Sequence, residues 1–325
     1  MKIVEQSHTW IKEPDPIKLI ELCGRTCYKS EDKITEDSAN KFVKMLTKSG
    51  HVSVLEHGQA AFDVESYMFD HIGRTPHSQF IRRSQAGGRT IISANFRAWE
   101  EFFEAYYSIY ENKAIHPIQA LNQDLCSRYP GVFTQFWYGN HTDSYFQSIT
   151  EDKMTSGEKL IHATRTCRFV TNRGVTHELV RHRHQWAFSQ ESTRYVRYNS
   201  DMEFIKPVWC SDQVLGVHTI DWINLIGTRL EGQINPELPP AENVWFWNQA
   251  TAERDYCNLL DCGWRPEQAR EVLPNSLKTE IVCTAPLSEW RYMLKLRISK
   301  AAHPQIRALM KPVLSDLKEE LPDLF

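Results

Sequence analysis

Residues 181–195 read Arg-His-Arg-His-Gln-Trp-Ala-Phe-Ser-Gln-Glu-Ser-Thr-Arg-Tyr, and this polar stretch decides how the rest of the chain is interpreted. Its arginines favour phosphate, because a planar guanidinium donates two parallel hydrogen bonds and stays charged at any working pH. Serine and threonine hydroxyls and the backbone amides between them add shorter donors. The scarcity of apolar residues predicts that the stretch lies outside the hydrophobic core. Two interpretations follow, an anion-binding loop or an ordinary solvated basic face.

The residues before this stretch favour an ordered loop over a solvated face. Residues 166–171, Thr-Cys-Arg-Phe-Val-Thr, predict a β-strand. Asn172, Arg173 and Gly174 predict a turn from this strand into a helix that delivers Arg181. Glu178 and Arg181 are three positions apart, so on one helix face both side chains would look into one site.

Together with this lead-in, residues 181–195 resemble the signature of the flavin-dependent thymidylate synthases. The shared runs are Asn-Arg-Gly-Val-Thr-His-Glu-Leu-Val at 172–180, Arg-His-Arg at 181–183 and Ser-Gln-Glu-Ser-Thr-Arg-Tyr at 189–195. Further segments follow in the family's order: Gly-Arg-Thr-Cys-Tyr at 24–28, Gly-His-Val-Ser-Val-Leu-Glu-His at 50–57, Arg-Glu-Val-Leu-Pro at 270–274, Trp-Arg-Tyr-Met-Leu-Lys-Leu-Arg at 290–297 and Ala-His-Pro-Gln at 302–305. The signature departs from that of many members by one extra residue after Arg183 and by Ala187 in place of a hydroxyl.

The resemblance implies a reaction, a fold and an assembly. Members of this family convert dUMP to dTMP, with methylenetetrahydrofolate as carbon donor and FAD, reduced by NADPH, as hydride carrier. The flavin carries the hard chemistry, and the protein contributes binding, orientation and electrostatics. The implied fold is α+β, a single domain over residues 1–325 with a helix-flanked β-sheet, and the implied assembly is a homotetramer whose subunits share each active site. None of the eight cysteines lies in a motif of the alternative route, which adds a thiolate to the pyrimidine.

The resemblance also assigns roles to individual residues. Those matching FAD contacts are Cys27 (a serine elsewhere in the family), Ser53, Arg181, His182, Arg183 and Gln190. Those matching dUMP contacts are Glu178, Arg181, Gln190, Glu191, Ser192, Thr193, Arg194, Arg270 and Arg297, with Ser192 and Arg194 on the phosphate. In catalysis, Arg297 matches the arginine that polarises the uracil ring, and His51 matches a histidine near the folate. Two asparagines that hold FAD in compact members correspond to Pro286 and Tyr292, which are assigned no contact.

Composition places the chain among ordinary globular enzymes. Of its 325 residues, 41% are hydrophobic and 24% charged, which suits a sizeable core. A net charge of −3 argues against nucleic acid and membrane surfaces as partners, since both select a basic protein. No apolar run approaches the ~18 residues of a membrane helix. With no signal-peptide core after Met1 and no Cys-x-x-Cys pair, we expect a cytoplasmic protein with free thiols.

Patterns between the motifs predict the surrounding elements. Thr35 is expected to cap a helix that Gly50 ends, and residues 51–57 are expected to form a loop. Residues 90–97 predict a strand, and residues 101–110 predict a helix whose aromatic stripe belongs to the core or a subunit interface. We expect residues from about 68 to 164 to be an insertion within the single domain, with an exposed excursion at 139–159. Residues 207–240 are expected to connect this part to a helix at 243–262 that stops at Gly263.

The late segment predicts a helix with a charged end. Trp290, Met293, Leu294 and Arg297 fall at helical spacing on one face. Arg297 therefore closes an apolar stripe, where a charge is costly unless it is paired. A final helix follows, with a kink expected at Pro312.

Three other interpretations stay open at this point. A metal-dependent hydrolase would use His177, His182 and His184, although spacings of five and two do not place three imidazoles on one helix face, and no metal site is predicted. An arginine-rich nucleic-acid-binding module would use the basic stretch with the aromatics, against the negative net charge. An inactive relative would keep the fold and nucleotide binding, and the altered signature keeps that interpretation open.

Overall fold

The computed structural model describes residues 1–110, 115–137, 145–199, 201–220 and 238–325. Within these residues, no helix has both the length and the apolar character needed to cross a bilayer. Helices flank antiparallel and mixed β-sheets, so the expected α+β class is confirmed. Residues 139–144 of the predicted excursion and 221–237 of the predicted connection lie outside the described residues.

The described elements alternate along the chain. The helices are α1 (Pro16–Tyr28), α2 (Ser38–Lys48), α3 (Tyr67–Gly73), α4 (Phe96–Tyr110), α5 (His116–Arg128), α6 (Ser156–His162), α7 (Arg173–Leu179), α8 (Pro240–Asp261), α9 (Pro266–Ala269), α10 (Leu287–Arg297) and α11 (Pro304–Glu320). The strands are β1 (Lys2–Val4), β2 (Ser7–Ile11), β3 (Gln59–Val64), β4 (Arg82–Ala86), β5 (Arg89–Asn95), β6 (Phe146–Ser148), β7 (Thr164–Asn172), β8 (Ala187–Gln190), β9 (Glu203–Ile205), β10 (Gly216–Val217) and β11 (Lys278–Pro286).

One four-stranded antiparallel sheet, in the order β2-β7-β11-β8, positions the candidate site. Strand β11 pairs with β7 from Lys278 opposite Asn172 to Pro286 opposite Thr164, and it pairs with β8 through Ile281 opposite Gln190. The start of β11, the end of β7 and the end of β8 therefore lie at one edge of the sheet. Helix α7 and the polar run after Gln190 both begin at this edge.

Strand β11 separates two hydrophobic cores because its side chains alternate between the two faces of the sheet. Val282 packs into a core that also holds Phe62 of β3 and Trp99 of α4. Its neighbours Ile281 and Cys283 pack on the other face, in the core shared with α10 and α11. A sheet covered on both faces is a rigid support for side chains at its edge.

A second sheet, in the order β4-β5-β3-β6, packs under α4. The aromatic stripe of α4 belongs to the core: Phe102, Phe103 and Tyr106 are buried, while Tyr107 is partly exposed. The third sheet, in the order β10-β1-β9, has its own core with α8, which ends before Gly263 (φ 91°) as expected. That residues 68–164 form an insertion within one domain stays a prediction.

Two local expectations are wrong. Helix α2 begins at Ser38 and not after Thr35, because the Ser38 hydroxyl accepts the Thr35 amide and holds that residue in the preceding turn. Residues 52–57 form a short 3-10 helix and not an open loop. The expected last helix is present as α11 and contains Pro312, and the kink at Pro312 stays a prediction.

The polar stretch is also more buried than its composition indicates. Residues 187–190 form β8, an edge strand hydrogen-bonded to β11, and Trp186, Ala187 and Ser189 are buried. The expectation that the stretch lies outside the core is therefore wrong. Within β8 the buried polar side chain is that of Ser189, and its hydroxyl is hydrogen-bonded to His57, so burial leaves no polar group of that side chain unpaired.

Candidate functional site

Helix α7 presents Glu178 to the site. The helix begins at a cap in which the Asn172 side chain accepts the Val175 amide at 2.8 Å. It ends at Leu179, so Glu178 lies in its last turn and Arg181 lies beyond it, exposed. The expectation that Glu178 and Arg181 share a helix face is therefore wrong, because the chain leaves the helix between them.

Arg297, the last residue of α10, reaches back to α7. Its Nη1 donates to the Glu178 carboxylate at 2.7 Å, its Nη2 to the Glu178 backbone carbonyl at 2.8 Å, and its Nε to Nε2 of His182 at 3.0 Å. Three acceptors fix the plane of the guanidinium and still leave N–H groups for a ligand. A fixed, permanently charged fork can stabilise negative charge at one defined place.

His182 is the neutral member of this cluster. Burial, and to a lesser degree the charge of Arg297, lowers the pKa of His182 to about 4. Because Nε2 accepts the Arg297 hydrogen bond, the proton of the neutral ring must be on Nδ1. The ring lies against Trp186, which stacks on Phe188 and meets Trp290 edge-on. Aromatic packing thus holds the acceptor in place.

A second neutral histidine ties β8 to β11. His57 is fully buried, with Nε2 3.0 Å from the Ser189 hydroxyl and Nδ1 2.7 Å from the Thr284 hydroxyl, which in turn lies 2.8 Å from the hydroxyl of Thr166. Burial lowers the pKa of His57 to about 3. This chain of hydroxyls and imidazole crosses three strands and fixes the strand that carries the signature.

The side chains of Gln190 and Glu191, at the end of β8, are held by hydrogen bonds to other side chains. The Gln190 amide donates to the hydroxyls of Thr176 (3.0 Å) and Thr279 (3.2 Å). Glu191 is 2% exposed, and its Oε1 accepts the Tyr198 hydroxyl at 2.5 Å while Oε2 has no hydrogen-bond partner. Burial, followed by the Glu191 charge, raises the pKa of Tyr198, so the phenol remains a donor. Glu191 therefore points inward and not toward the exposed loop surface.

The next residues form a loop anchored to α1 and to the segment after α9. The Ser192 amide donates to the Cys27 carbonyl at 3.1 Å. The Thr193 hydroxyl accepts from Nη1 of Arg270 at 3.5 Å. The structure thus brings Thr193 and Arg270, two of the residues expected to contact dUMP, within reach of each other.

Arg194 and His51 are connected through two tyrosines. Arg194 is exposed and lies over the Tyr195 ring at 5.2 Å, and Tyr195 packs on Tyr28. The Tyr28 hydroxyl is 3.1 Å from Nδ1 of His51. Burial, followed by the charge of Arg194, lowers the pKa of His51, which keeps the ring neutral. The half-buried Cys27 precedes Tyr28 in α1, and burial raises the pKa of its thiol.

Three residues assigned to FAD are exposed on the surface of the subunit. Arg181, Arg183 and Ser53 are exposed, and neither guanidinium makes an ion pair with any residue that the structure describes. Arg183 lines a cavity of about 190 Å³ together with Glu56, Arg97 and Trp186. Two exposed guanidiniums close in sequence are available to an anionic ligand.

The altered part of the signature lies in a turn at this cavity. Gln185 adopts a left-handed conformation with φ 56°, which is uncommon for a residue other than glycine. Trp186 follows it into the core, and β8 keeps its pairing with β11 through Ala187 opposite Thr284. The altered signature is therefore compatible with the strand. In the described residues, His177, His182 and His184 form no metal-binding group, and no other such group occurs there.

Sequence patterns assigned no role to Arg173, His57 or Tyr198, yet each contacts or faces the site residues. Arg173 was interpreted only as part of a turn, although it stands in the same run as Glu178. The buried hydrogen bonds of His57 to Thr284 and Ser189 give it a structural role. The spacing of Tyr198, seven residues after Glu191, gives no local signal for their hydrogen bond.

A known protein family matches most of the chain. The sequence model of the family Thy1, thymidylate synthase complementing protein, matches residues 7–86 and 139–323. The chain belongs to this family.

Among curated relatives, a flavin-dependent thymidylate synthase of Corynebacterium diphtheriae is 31% identical over 157 residues, 47% of this chain and 56% of that protein. One of Corynebacterium efficiens is 30% identical over 186 residues, 56% of this chain and 68% of that protein. The matches thus span somewhat more than half the length of these relatives. A solved UMP/dUMP methylase, PolB from Streptomyces cacaoi bound with 5-Br dUMP, aligns over 100% of this chain and 95% of its own, with 14% identity and a TM-score of 0.40.

Proposed function

We propose that the protein is a flavin-dependent thymidylate synthase. It converts dUMP to dTMP with methylenetetrahydrofolate as carbon donor and with FAD, reduced by NADPH, as hydride carrier. The observation that carries this proposal is the Arg297 guanidinium, which Glu178 of α7 and His182 of the signature hold in one orientation. Family membership and the names of the curated relatives support it.

In this proposal the residues that follow β8, 191–195, bind the nucleotide, and we call them the nucleotide loop. The phosphate lies against the Ser192 and Thr193 hydroxyls and the guanidiniums of Arg194 and Arg270, which donate charge-assisted hydrogen bonds. The remaining residues proposed to contact dUMP are Glu178, Arg181, Gln190, Glu191 and Arg297. Glu191 is proposed to act from behind the loop, since its carboxylate faces Tyr198.

The uracil ring lies at Arg297. Carbon C5 becomes a better nucleophile when negative charge on the N3–C=O edge is stabilised, and a preorganised donor does this without reorganising in the transition state. Glu178 and the neutral His182 keep the fork in one orientation. His51, also neutral, is proposed to lie on the folate side, where an uncharged ring can accept or donate a hydrogen bond.

The donors available for FAD fit its chemistry. Arg181 and Arg183 are exposed guanidiniums without a described ion pair, as a pyrophosphate requires, and the indole N–H of Trp186 is buried without a partner. We propose that Arg181, Arg183, Ser53 and Cys27 hold FAD, with the already engaged side chains His182 and Gln190 lining its site. When bound, FAD supplies the hydride. Pro286 and Tyr292 are assigned no FAD contact.

We also propose a homotetramer with shared active sites. Arg181, Arg183 and Ser53 are exposed on the single subunit, which leaves them accessible to a contribution from another copy. Exposed apolar side chains on α10 and after α7, Tyr292, Leu296 and Val180, are suited to such a contact. Light scattering on the purified protein measures the assembly, and a monomer that is fully active would contradict it.

The visible spectrum and a product assay test the function. We expect purified protein to be yellow or to take up FAD, and to form dTMP from dUMP only when methylenetetrahydrofolate and NADPH are both present. If saturating FAD gives neither a bound chromophore nor a thermal shift, the flavin proposal fails. An inactive relative would bind FAD and dUMP without forming dTMP, and a nucleic-acid-binding module would give a salt-dependent gel shift.

A further inference from the structure

A polar cavity of about 270 Å³ opens between the start of α7, the nucleotide loop and the segment after α9. Its lining includes Arg173, His177, Thr193, Arg270 and Asn275. Arg270 was expected to contact dUMP, but neither Arg173 nor His177 was assigned a nucleotide contact. We define these residues as the Arg173 cavity.

The Arg173 side chain lacks the partner that a buried charge requires. Its Nη1 is buried and has no hydrogen-bond acceptor, and the guanidinium makes no ion pair with any residue that the structure describes. A buried charged donor without an acceptor is costly, because it has lost water and gained nothing. Glu191, the acidic side chain whose charge acts on Arg173, is hydrogen-bonded to Tyr198 and not to Arg173.

The second guanidinium in the cavity adds to this cost. Burial lowers the pKa of Arg173, and the neighbouring Arg270 lowers it further, while Tyr198 and Glu191 act in the opposite direction. Arg270 is paired only loosely, at 3.6 Å to Glu271, whose side chain is 72% exposed. The cavity is lined by two guanidiniums and by one carboxylate, that of Glu271, so it keeps a net positive charge that favours an anion.

We propose that Arg173 is a second phosphate-binding arginine, which acts with Arg270 and Thr193 to hold a phosphomonoester dianion in the Arg173 cavity. This inference rests on the proposed function, in which the phosphate belongs to dUMP. Two converging forks match a dianion better than a single fork does, because each can donate in parallel to two phosphate oxygens. Arg173 thereby makes the enzyme select a nucleoside monophosphate over the free nucleoside.

The test measures binding to the full-length, FAD-loaded protein for Arg173→Gln, Arg173→Lys and the control Arg265→Gln. Arg265 is a nearby arginine, 78% exposed and paired with Glu267, that does not line the cavity. Its replacement removes the same charge. Calorimetry with dUMP, with 2′-deoxyuridine and with inorganic phosphate as competitor separates the phosphate from the base.

For Arg173→Gln we expect the dUMP dissociation constant to rise roughly 10- to 200-fold, as for loss of a charge-assisted hydrogen bond. Affinity for 2′-deoxyuridine, FAD content and melting temperature stay near those of the wild type. For Arg173→Lys we expect a dUMP dissociation constant between those of the wild type and of Arg173→Gln, since lysine keeps the charge but not the fork. Arg265→Gln binds dUMP normally, and inorganic phosphate competes with dUMP on the wild type but much less on Arg173→Gln.

Unchanged dUMP binding by Arg173→Gln overturns the inference. So does an equal loss of dUMP and deoxyuridine binding with a lower melting temperature, which would make Arg173 a structural residue. Failure of the proposed function looks different: the wild type would form no dTMP. In that case inorganic phosphate that stabilises the wild type and not Arg173→Gln still supports an anion site, and equal stabilisation of both overturns it.

Discussion

Nε of Arg297 donates a hydrogen bond to Nε2 of His182 at 3.0 Å, across 115 positions of sequence. The bond requires an unprotonated Nε2, so it exists only while His182 is neutral. Burial, together with the Arg297 charge, lowers the pKa of His182 to about 4 and keeps it neutral at working pH. The orientation of the one guanidinium proposed to act on the uracil ring is thus linked to the protonation state of the signature histidine.

Arg297→Lys is expected to keep the fold and FAD but to lose dTMP formation by about 10²-fold or more, as for removal of one preorganised donor. Lysine keeps the charge but lacks the planar fork that donates hydrogen bonds to Glu178 and His182 together. Turnover and melting temperature are measured for Arg297→Lys and Arg297→Ala. The control is Arg307→Lys, on α11, where the arginine donates to the Lys300 carbonyl. Near-normal turnover of Arg297→Lys would mean that the ion pair of Arg297 with Glu178 has only a structural role.

The stability of the protein is expected to fall as the pH is lowered from about 6.5 toward 4. In this window the unfolded chain protonates His182, whose ordinary pKa is 6.5, while the folded protein with a pKa of about 4 does not. The contribution of the neutral, buried His182 to the free energy of unfolding is fully present above pH 6.5 and is lost as the pH falls. His57 and His162, each with a pKa of about 3, act in the same direction.

Melting temperature against pH checks this, with His182→Gln as the variant. Glutamine keeps a polar side chain but cannot titrate, so the variant should show a shallower loss of stability on acidification than the wild type. His184→Gln, at a side chain 68% exposed, serves as control and should keep the wild-type slope. A wild-type slope in His182→Gln would mean that the other buried histidines account for the whole effect.

Local patterns predicted the elements of the site better than its contacts. The stripe of Trp290, Met293 and Leu294 placed Arg297 at the end of a helix, and Asn172 marked the start of α7, because both signals are short-range. The partner of Arg297 could not be found this way, since Glu178 is 119 positions distant and no periodicity connects two separate helices.

Strand β11 illustrates a second reason why an element was not predicted from the sequence. Its run Lys-Thr-Glu-Ile-Val-Cys-Thr-Ala-Pro is rich in β-branched residues, but no strand was predicted there, and β2 was missed as well. A central strand buried on both faces loses the alternation that distinguishes a half-buried strand. The polarity of the signature likewise concealed β8, because the hydrogen-bond partner that permits burial of Ser189 is His57, 132 positions away.

Arg194→Ala is expected to weaken dUMP binding while flavin content stays near normal. Arg194 is exposed on the loop and packs on Tyr195, so its removal costs little stability. Loss of one charge-assisted hydrogen bond corresponds to about 1.5–3 kcal/mol, or roughly 10- to 200-fold in affinity. Equilibrium dialysis with labelled dUMP measures the effect. The control Arg197→Ala removes an equally exposed charge three positions later, and equal losses in both variants would indicate a general effect of charge.

The last prediction concerns the cysteines, because the covalent route to dTMP requires a thiolate. Burial raises the pKa of seven thiols, which keeps them protonated near neutral pH: Cys23, Cys27, Cys126, Cys167, Cys210, Cys257 and Cys283. Cys27 is the closest of them to the nucleotide loop, since its carbonyl accepts the Ser192 amide. Each Cys→Ala variant is therefore expected to form dTMP.

Product formation, FAD content and melting temperature of the eight variants check this expectation. Cys27→Ala is the decisive member, and Cys262→Ala, at an exposed site, is its control. A Cys27→Ala protein that forms dTMP at a reduced rate, in proportion to lost FAD, agrees with a flavin contact and no nucleophile. A folded, FAD-loaded variant without any dTMP formation would instead identify an obligatory thiol. The carbon transfer would then proceed through a covalent adduct on that sulfur, and Arg297 would only orient the ring.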